Sequence, residues 1–182
     1  MFSAEATRAR AAEAISAQRI GFRHHNIEFG YAYESGAITP DGTPETIPLD
    51  PVLLYEPSTR PGHALPHALI ESDGAPFPIG RLAGGAHFAL IAGEDGQAWV
   101  AAARDLAGRF GIVINVVRIG LYSGDFRDVR GAWLRHRGIG PSGAILVRPD
   151  HYIAFQSAKM AADPVATLSS ALAVVLDREQ MA

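Results

Sequence analysis

The chain has 182 residues, 48% of them hydrophobic and 19% charged, which at about 150 residues per domain allows one buried core, or one core with an appendage. The net charge is −3, from 16 basic and 19 acidic residues, with no more than a loose arginine cluster from Arg127 to Arg137; this excludes the concentrated basic face of a nucleic-acid partner. Cysteine is absent, and with it disulfides, thiolate metal sites, a cysteine nucleophile and dithiol redox chemistry. No apolar run reaches the about 18 residues of a membrane span, and the start Met-Phe-Ser-Ala-Glu is polar, so a soluble, cytoplasmic chain with no membrane partner is expected.

Ser3 to Ile20 is alanine-rich, with Ile15 on one weakly apolar stripe, and predicts a helix that would be marginal alone. Asn26 to Glu34 alternates Ile27, Phe29, Tyr31 and Tyr33 with Glu28, Gly30, Ala32 and Glu34, the periodicity of a strand with an aromatic face. From Thr39 to Pro78 proline and glycine are too dense for a long element, yet Val52 to Tyr55, Leu65, Leu69 and Ile70 interrupt them. That pattern predicts an ordered strap with a short strand around His67 to Glu71, because a free loop of this length is uncommon in a compact domain.

From Gly80 onward strands and helices alternate. A strand is predicted over His87 to Ala92, a helix over Gly96 to Phe110 closed by Gly111, and a β-branched strand over Ile112 to Ile119; this is a βαβ unit with a parallel pair. A short helix from Phe126 to His136, a hairpin of Ala144 to Arg148 with Tyr152 to Gln156, and a helix from Val165 to Arg178 introduced by Asp163-Pro164 complete the order. The fold class is therefore α/β: a thioredoxin-like mixed sheet with helices on both faces, preceded by a helix, a strand and the Pro-rich strap. Three regions are expected: residues 1–38, the strap 39–79, and the thioredoxin-like domain 80–182. Where a redox member would carry its cysteines this chain reads Gly93-Glu94-Asp95-Gly96-Gln97, so thiol exchange is excluded and a structural or interaction role, or other chemistry, remains.

Several residues invite a catalytic or metal reading. His63 and His67 have zincin-like spacing, but Pro66 lies between them, so no metal site is expected. The side chains of the adjacent pair His24-His25 would diverge, which suits a turn. Gly80 to Gly85 precedes a strand instead of following one, and Gly93 to Gly96 carries two acids that would repel phosphate. Ser58 and Ser123 lack the Gly-x-Ser-x-Gly frame of a hydrolase nucleophile, and Asp125, Asp128 and His136 read as a solvated helix and its flanks. Arg60, fixed between Thr59 and Pro61 in the strap, suits the locking together of two backbone segments better than substrate contact. No catalytic or cofactor-binding residue is assigned.

The strap Tyr55-Glu-Pro-Ser-Thr-Arg-Pro-Gly-His-Ala-Leu-Pro-His67-Ala-Leu resembles the C-terminal part of FAD-dependent aromatic hydroxylases, the phenol and 2,4-dichlorophenol monooxygenase group. Phe29 to Ile38 with Asp41-Gly42 is similar to the stretch entering that family's C-terminal region. His87 to Gly93 is similar to its first thioredoxin-like strand, and Gly143 to Asp150 with Tyr152 to Phe155 to its closing hairpin. The resemblance implies a parent enzyme that binds FAD on a Rossmann-type domain, reduces it with NAD(P)H, and hydroxylates an aromatic ring. Neither the Gly-x-Gly-x-x-Gly fingerprint nor the family's later Gly-Asp context occurs here; Gly124-Asp125 is in the wrong place. The chain is thus expected to be the C-terminal, non-catalytic module of such a hydroxylase, truncated or separately encoded, binding no cofactor itself.

Its expected partner is the flavin-binding domain, in cis or in trans, with Arg60, Pro61, Gly62, Pro66 and His67 as the docking set and residues 1–38 as a remnant of the junction. A free-standing domain that holds a small aromatic ligand against Phe29, Tyr31 and Tyr33 is the alternative; a peroxidase or transferase of thioredoxin fold is a third reading, without its thiol-based versions. Without the missing domains, Phe22, Ile27, Phe29, Tyr31 and Tyr33 would leave an apolar patch, which predicts either a homodimer through residues before Gly36 or disorder of that segment. Limited proteolysis is expected to leave a core beginning near Gly80.

Overall fold

The computed structural model describes residues 4–18, 25–45 and 47–177. The chain divides into two compact units, one of residues 1–31 and 45–56, the other of residues 32–44 and 57–182. The strap of residues 39–79 is accordingly shared between them.

In the first unit, α1 (Ala4–Ala17) is exposed along its whole length, as its weak stripe predicts. The aromatic segment departs from expectation. His25–Phe29 is a helix, α2, and not the start of a strand. Bonding to a segment distant in the chain overrides the alternation: the Asn26 amide N–H and Nδ2 donate to the carbonyls of Val52 and Pro51 at 3.3 and 2.8 Å, which fixes the turn that a strand would have to unroll. Gly30 follows the helix, its N–H donating to the Asn26 carbonyl at 2.8 Å, and the Asn26 side chain occupies the space a Cβ would need there. Phe29 sits 6.2 Å from the Tyr55 ring. Phe22 and His24 lie outside the described residues.

The second unit is built on a seven-stranded sheet. Its strands are β1 (Leu69–Ser72), β2 (Ala75–Pro78), β3 (His87–Ala92), β4 (Val113–Gly120), β5 (Phe126–Arg127), β6 (Ala144–Val147) and β7 (Ile153–Ser157), in the order β2-β1-β5-β4-β3-β6-β7. Strands β3 and β4 are parallel, with Leu90 opposite Val116, and are joined by α3 (Gln97–Phe110). The β6–β7 hairpin continues the sheet antiparallel to β3, and α5 (Pro164–Val175) follows, its N-terminus capped by Asp163 accepting from the Ala166 N–H at 2.9 Å. This is the thioredoxin-like arrangement that the order of elements predicts.

Two elements differ from the sequence reading. The expected helix Phe126–His136 is shorter, α4 (Ala132–His136), because Phe126 and Arg127 pair with Ile119 and Gly120 as a strand. Asp128 is fully buried and not part of a solvated face: its carboxylate accepts from the N–H groups of Ala132 and Leu134 at 3.1 and 2.8 Å, capping α4. The second difference is β2. Asp73 and Gly74, both with positive φ, form the tight turn of a β1–β2 hairpin, and Pro76 and Pro78 are accommodated because β2 is an edge strand.

Strands β3 and β6 are buried on both faces. Phe88, Leu90 and Leu146 pack with Trp99, Leu106 and Phe110 of α3 and with Leu168 and Leu172 of α5. Ala89, Ile91 and Ile145 point the other way, toward Ile70, Ile79, Ile119 and Trp133 of α4. The near-continuous apolar runs of β3 and β6 are what two-sided burial requires. Among the described residues no helix is long and apolar enough to cross a membrane.

Candidate functional site

The strap's route is set by the free edge of β7. The Gly62 N–H donates to the Ile153 carbonyl at 2.8 Å, the Ile153 N–H to the His63 carbonyl at 2.9 Å, and the Leu65 N–H to the His151 carbonyl at 2.8 Å. On the strap's other side, the Tyr33 N–H donates to the Gly62 carbonyl at 2.9 Å, and Ala32 bridges His63. The backbone here passes so close that only glycine fits: Gly62 has φ +97°, and a Cβ would lie 2.5 Å from the Tyr33 carbonyl oxygen. Pro61, Gly62 and Pro66 are buried in this seam, Arg60 is half-buried, and His67 is exposed. His63 is buried and His67 is not, and among the described residues no three His, Asp or Glu side chains gather as a metal site would need.

A buried polar relay fastens the strap to the domain. The Thr59 hydroxyl donates to Gln156 Oε1 at 2.7 Å and accepts from the Gly138 N–H at 2.6 Å. Gln156 Nε2 donates to Asp41 Oδ2 at 3.0 Å, and Asp41 Oδ1 accepts from both the N–H and the hydroxyl of Thr43. Nε of Arg60 donates to the Thr43 carbonyl at 3.0 Å, so this guanidinium bridges the strap and the loop of residues 41–43. The sequence reading singled out Arg60 but missed Thr59, Gln156 and Asp41. The legible signal was Gln156, an amide inside the apolar strand Ile-Ala-Phe-Gln-Ser, which must find partners when buried.

Above the relay lies a cavity of about 400 Å³ within the second unit, walled by Tyr33, Glu34, Ile38, Pro40, Arg60 and Pro61 among others. Tyr33 is held edge-on to Tyr152 at 4.6 Å between ring centroids.

The other place where a fold of this kind keeps a site is the end of β3. The Gly93 N–H is taken by the Gly143 carbonyl at 3.0 Å and the Asp95 N–H by the Pro141 carbonyl at 2.8 Å. A Cβ at Gly93 would meet the Pro141 oxygen at 2.2 Å. These carbonyls take the N–H groups of the turn before α3, and the same turn carries Glu94 and Asp95, whose charges oppose a dinucleotide's pyrophosphate at the helix start, so these residues do not fit the FAD diphosphate. Nearby, Arg118 Nε stands 3.8 Å from Asp125. Burial pulls the Arg137 guanidinium below its ordinary value, opposed by the charges of Glu94 and Asp128.

Residues 58–178 match the family of aromatic-ring hydroxylase C-terminal domains. The chain is 34% identical over 178 residues to a 2,4-dichlorophenol 6-monooxygenase of Cupriavidus pinatubonensis, covering 97% of this chain and 30% of that protein. It is 36% identical over 173 residues to a phenol 2-monooxygenase of a Pseudomonas species, covering 93% and 28%. Among solved structures, the flavin-dependent monooxygenase PieE in complex with FAD and substrate superposes with a TM-score of 0.81 at 38% identity, covering 97% of this chain and 31% of that one. Aklavinone-11 hydroxylase with FAD and aklavinone gives 0.71 at 34% identity, covering 85% and 28%. The chain therefore spans less than a third of the length of the relatives it matches.

Proposed function

The chain belongs to the aromatic-ring hydroxylase C-terminal family, and on that premise we propose that it serves as the C-terminal, non-catalytic module of an FAD-dependent, NAD(P)H-using aromatic monooxygenase. The observation that carries this reading is the match of residues 58–178 to the C-terminal domain of these hydroxylases in a chain that spans less than a third of its relatives' length, so FAD belongs to a separate domain of the parent enzyme. The module's contribution is packing and subunit contact in the cytoplasm. In the strap, buried Pro61, Gly62 and Pro66 hold the backbone's course, Arg60 locks it to the loop of residues 41–43, and exposed His67 is the group turned outward to dock. Ile27, Phe29 and Tyr31, between 44% and 56% exposed, supply apolar surface for the flavin domain in cis or in trans, or for a second copy of the chain where that domain is missing.

The test is a chimera in which this chain replaces the C-terminal portion of the 2,4-dichlorophenol 6-monooxygenase. The chimera is expected to retain FAD and to oxidise NAD(P)H when 2,4-dichlorophenol is added, while the isolated chain purifies colourless and forms dimers by light scattering. A yellow isolated chain with stoichiometric flavin would overturn the assignment, as would a folded chimera that cannot hold FAD.

A further inference from the structure

We propose that the cavity beside the strap is a binding site for a small hydroxylated aromatic ring, a phenol or catechol in its neutral form, carried by this module and independent of the flavin domain. Its volume of about 400 Å³ lies in the range of ligand pockets, roughly 300–1,000 Å³, and well above the about 150 Å³ that suffices to admit benzene to an engineered cavity. Tyr33, Ile38, Pro40 and Pro61 provide apolar and ring surface, and Tyr33 is held in place against Tyr152.

The polar lining selects among aromatic compounds. Arg60 uses Nε on the Thr43 carbonyl, which fixes the guanidinium plane, and its two Nη groups have no hydrogen-bond partner among the described residues. Glu34 lines the same cavity and likewise has none. Asp41, the other acid in the wall, is already committed to Gln156 and Thr43. The charged groups left open are therefore one fixed set of donors and one anionic acceptor. A phenolic hydroxyl satisfies both, accepting from the guanidinium and donating to the carboxylate. An aromatic carboxylate can only accept, so it would meet Arg60 favourably and Glu34 with repulsion; a plain hydrocarbon ring would leave both polar groups unanswered.

The test is an amide NMR titration of the full chain with phenol, benzoate and cyclohexanol. Saturable shifts with phenol are expected at the amides of Tyr33, Gly42 and Thr43, with binding about fivefold weaker for benzoate and for cyclohexanol, the loss of roughly one charge-assisted hydrogen bond or of the ring contact. Glu34→Lys alters an exposed side chain and is expected to reverse the order, benzoate then binding tighter than phenol, with amide shifts elsewhere unchanged. Arg60→Ala is expected to weaken both ligands, and its thermal unfolding separates a lost contact from a loosened strap. The inference is overturned if phenol causes no saturable shift at those amides, if the three probes bind alike, or if Glu34→Lys leaves the order as it was. None of these readings involves flavin, so they can fail while the chimera experiment succeeds, and the reverse.

Discussion

Thr59 shows how much a single hydroxyl decides. It has one proton to give and lone pairs to accept with, and both are used, on Gln156 and on Gly138, inside a site that is only 2% exposed at Thr59 itself. Thr59→Val would keep the shape, strand the buried Gln156 Oε1 and remove the partner of the N–H of Gly138, an exposed residue. A stranded buried acceptor costs about 1–3 kcal/mol, so a loss of about that size in urea unfolding is expected, with Thr59→Ser close to the parent chain. Thr59 was invisible in the sequence because its partners lie 79 and 97 residues away. Arg60 was conspicuous for the opposite reason, since its setting between Thr59 and Pro61 is local.

Among elements, those with local instructions match their predicted places and those dependent on distant partners do not. Strand β3 and helix α3 follow from apolar period, and α5 from Asp163-Pro164 at its start. Segment 26–34 reads as a strand by period alone, yet Pro51 and Val52 hold Asn26 in a helical turn. The same neighbourhood carries a pH response. The N–H groups of Leu53 and Val52 donate to the Asp50 carboxylate and lower its pKa from the ordinary value. A folded value below the unfolded one means that the stabilisation is present above the unfolded pKa and is lost as pH falls through the folded one. Shifts of the Val52 and Leu53 amides are therefore expected on acidification below about pH 4, and Asp50→Asn, which still accepts hydrogen bonds, should abolish that titration.

At the scale of the whole molecule, the sheet's two edges are managed differently. Strand β2 carries two prolines without N–H donors, and β7 is covered by the strap, so neither edge offers a long unpaired ladder. Because residues 57–79 bond to β7 or form β1 and β2, the protease-resistant core is expected to begin near Pro57, upstream of the Gly80 suggested by composition. Cleavage should come first between residues 45 and 56, where Ile47 and Leu49 are 80% and 93% exposed. Mass spectrometry of the fragments checks this, and early cleavage around Gly80 that releases residues 57–79 would contradict the strap's place in the sheet.

Apolar period, the Asp163-Pro164 cap and the missing cysteines were enough to determine the thioredoxin-like order of strands and helices and to exclude thiol chemistry, because each is a property of neighbouring residues or of composition. The strap residues, with the hairpin and aromatic stretches around them, were enough to point to the hydroxylase family. Tertiary structure alone decided that the strap joins the sheet, that Asp128 is a buried cap, that Thr59, Gln156 and Asp41 form one relay, and that Tyr33, Glu34 and Arg60 share a cavity. Those outcomes rest on hydrogen bonds and packing between segments far apart in the chain, and a buried polar group takes whichever partner folding brings within reach.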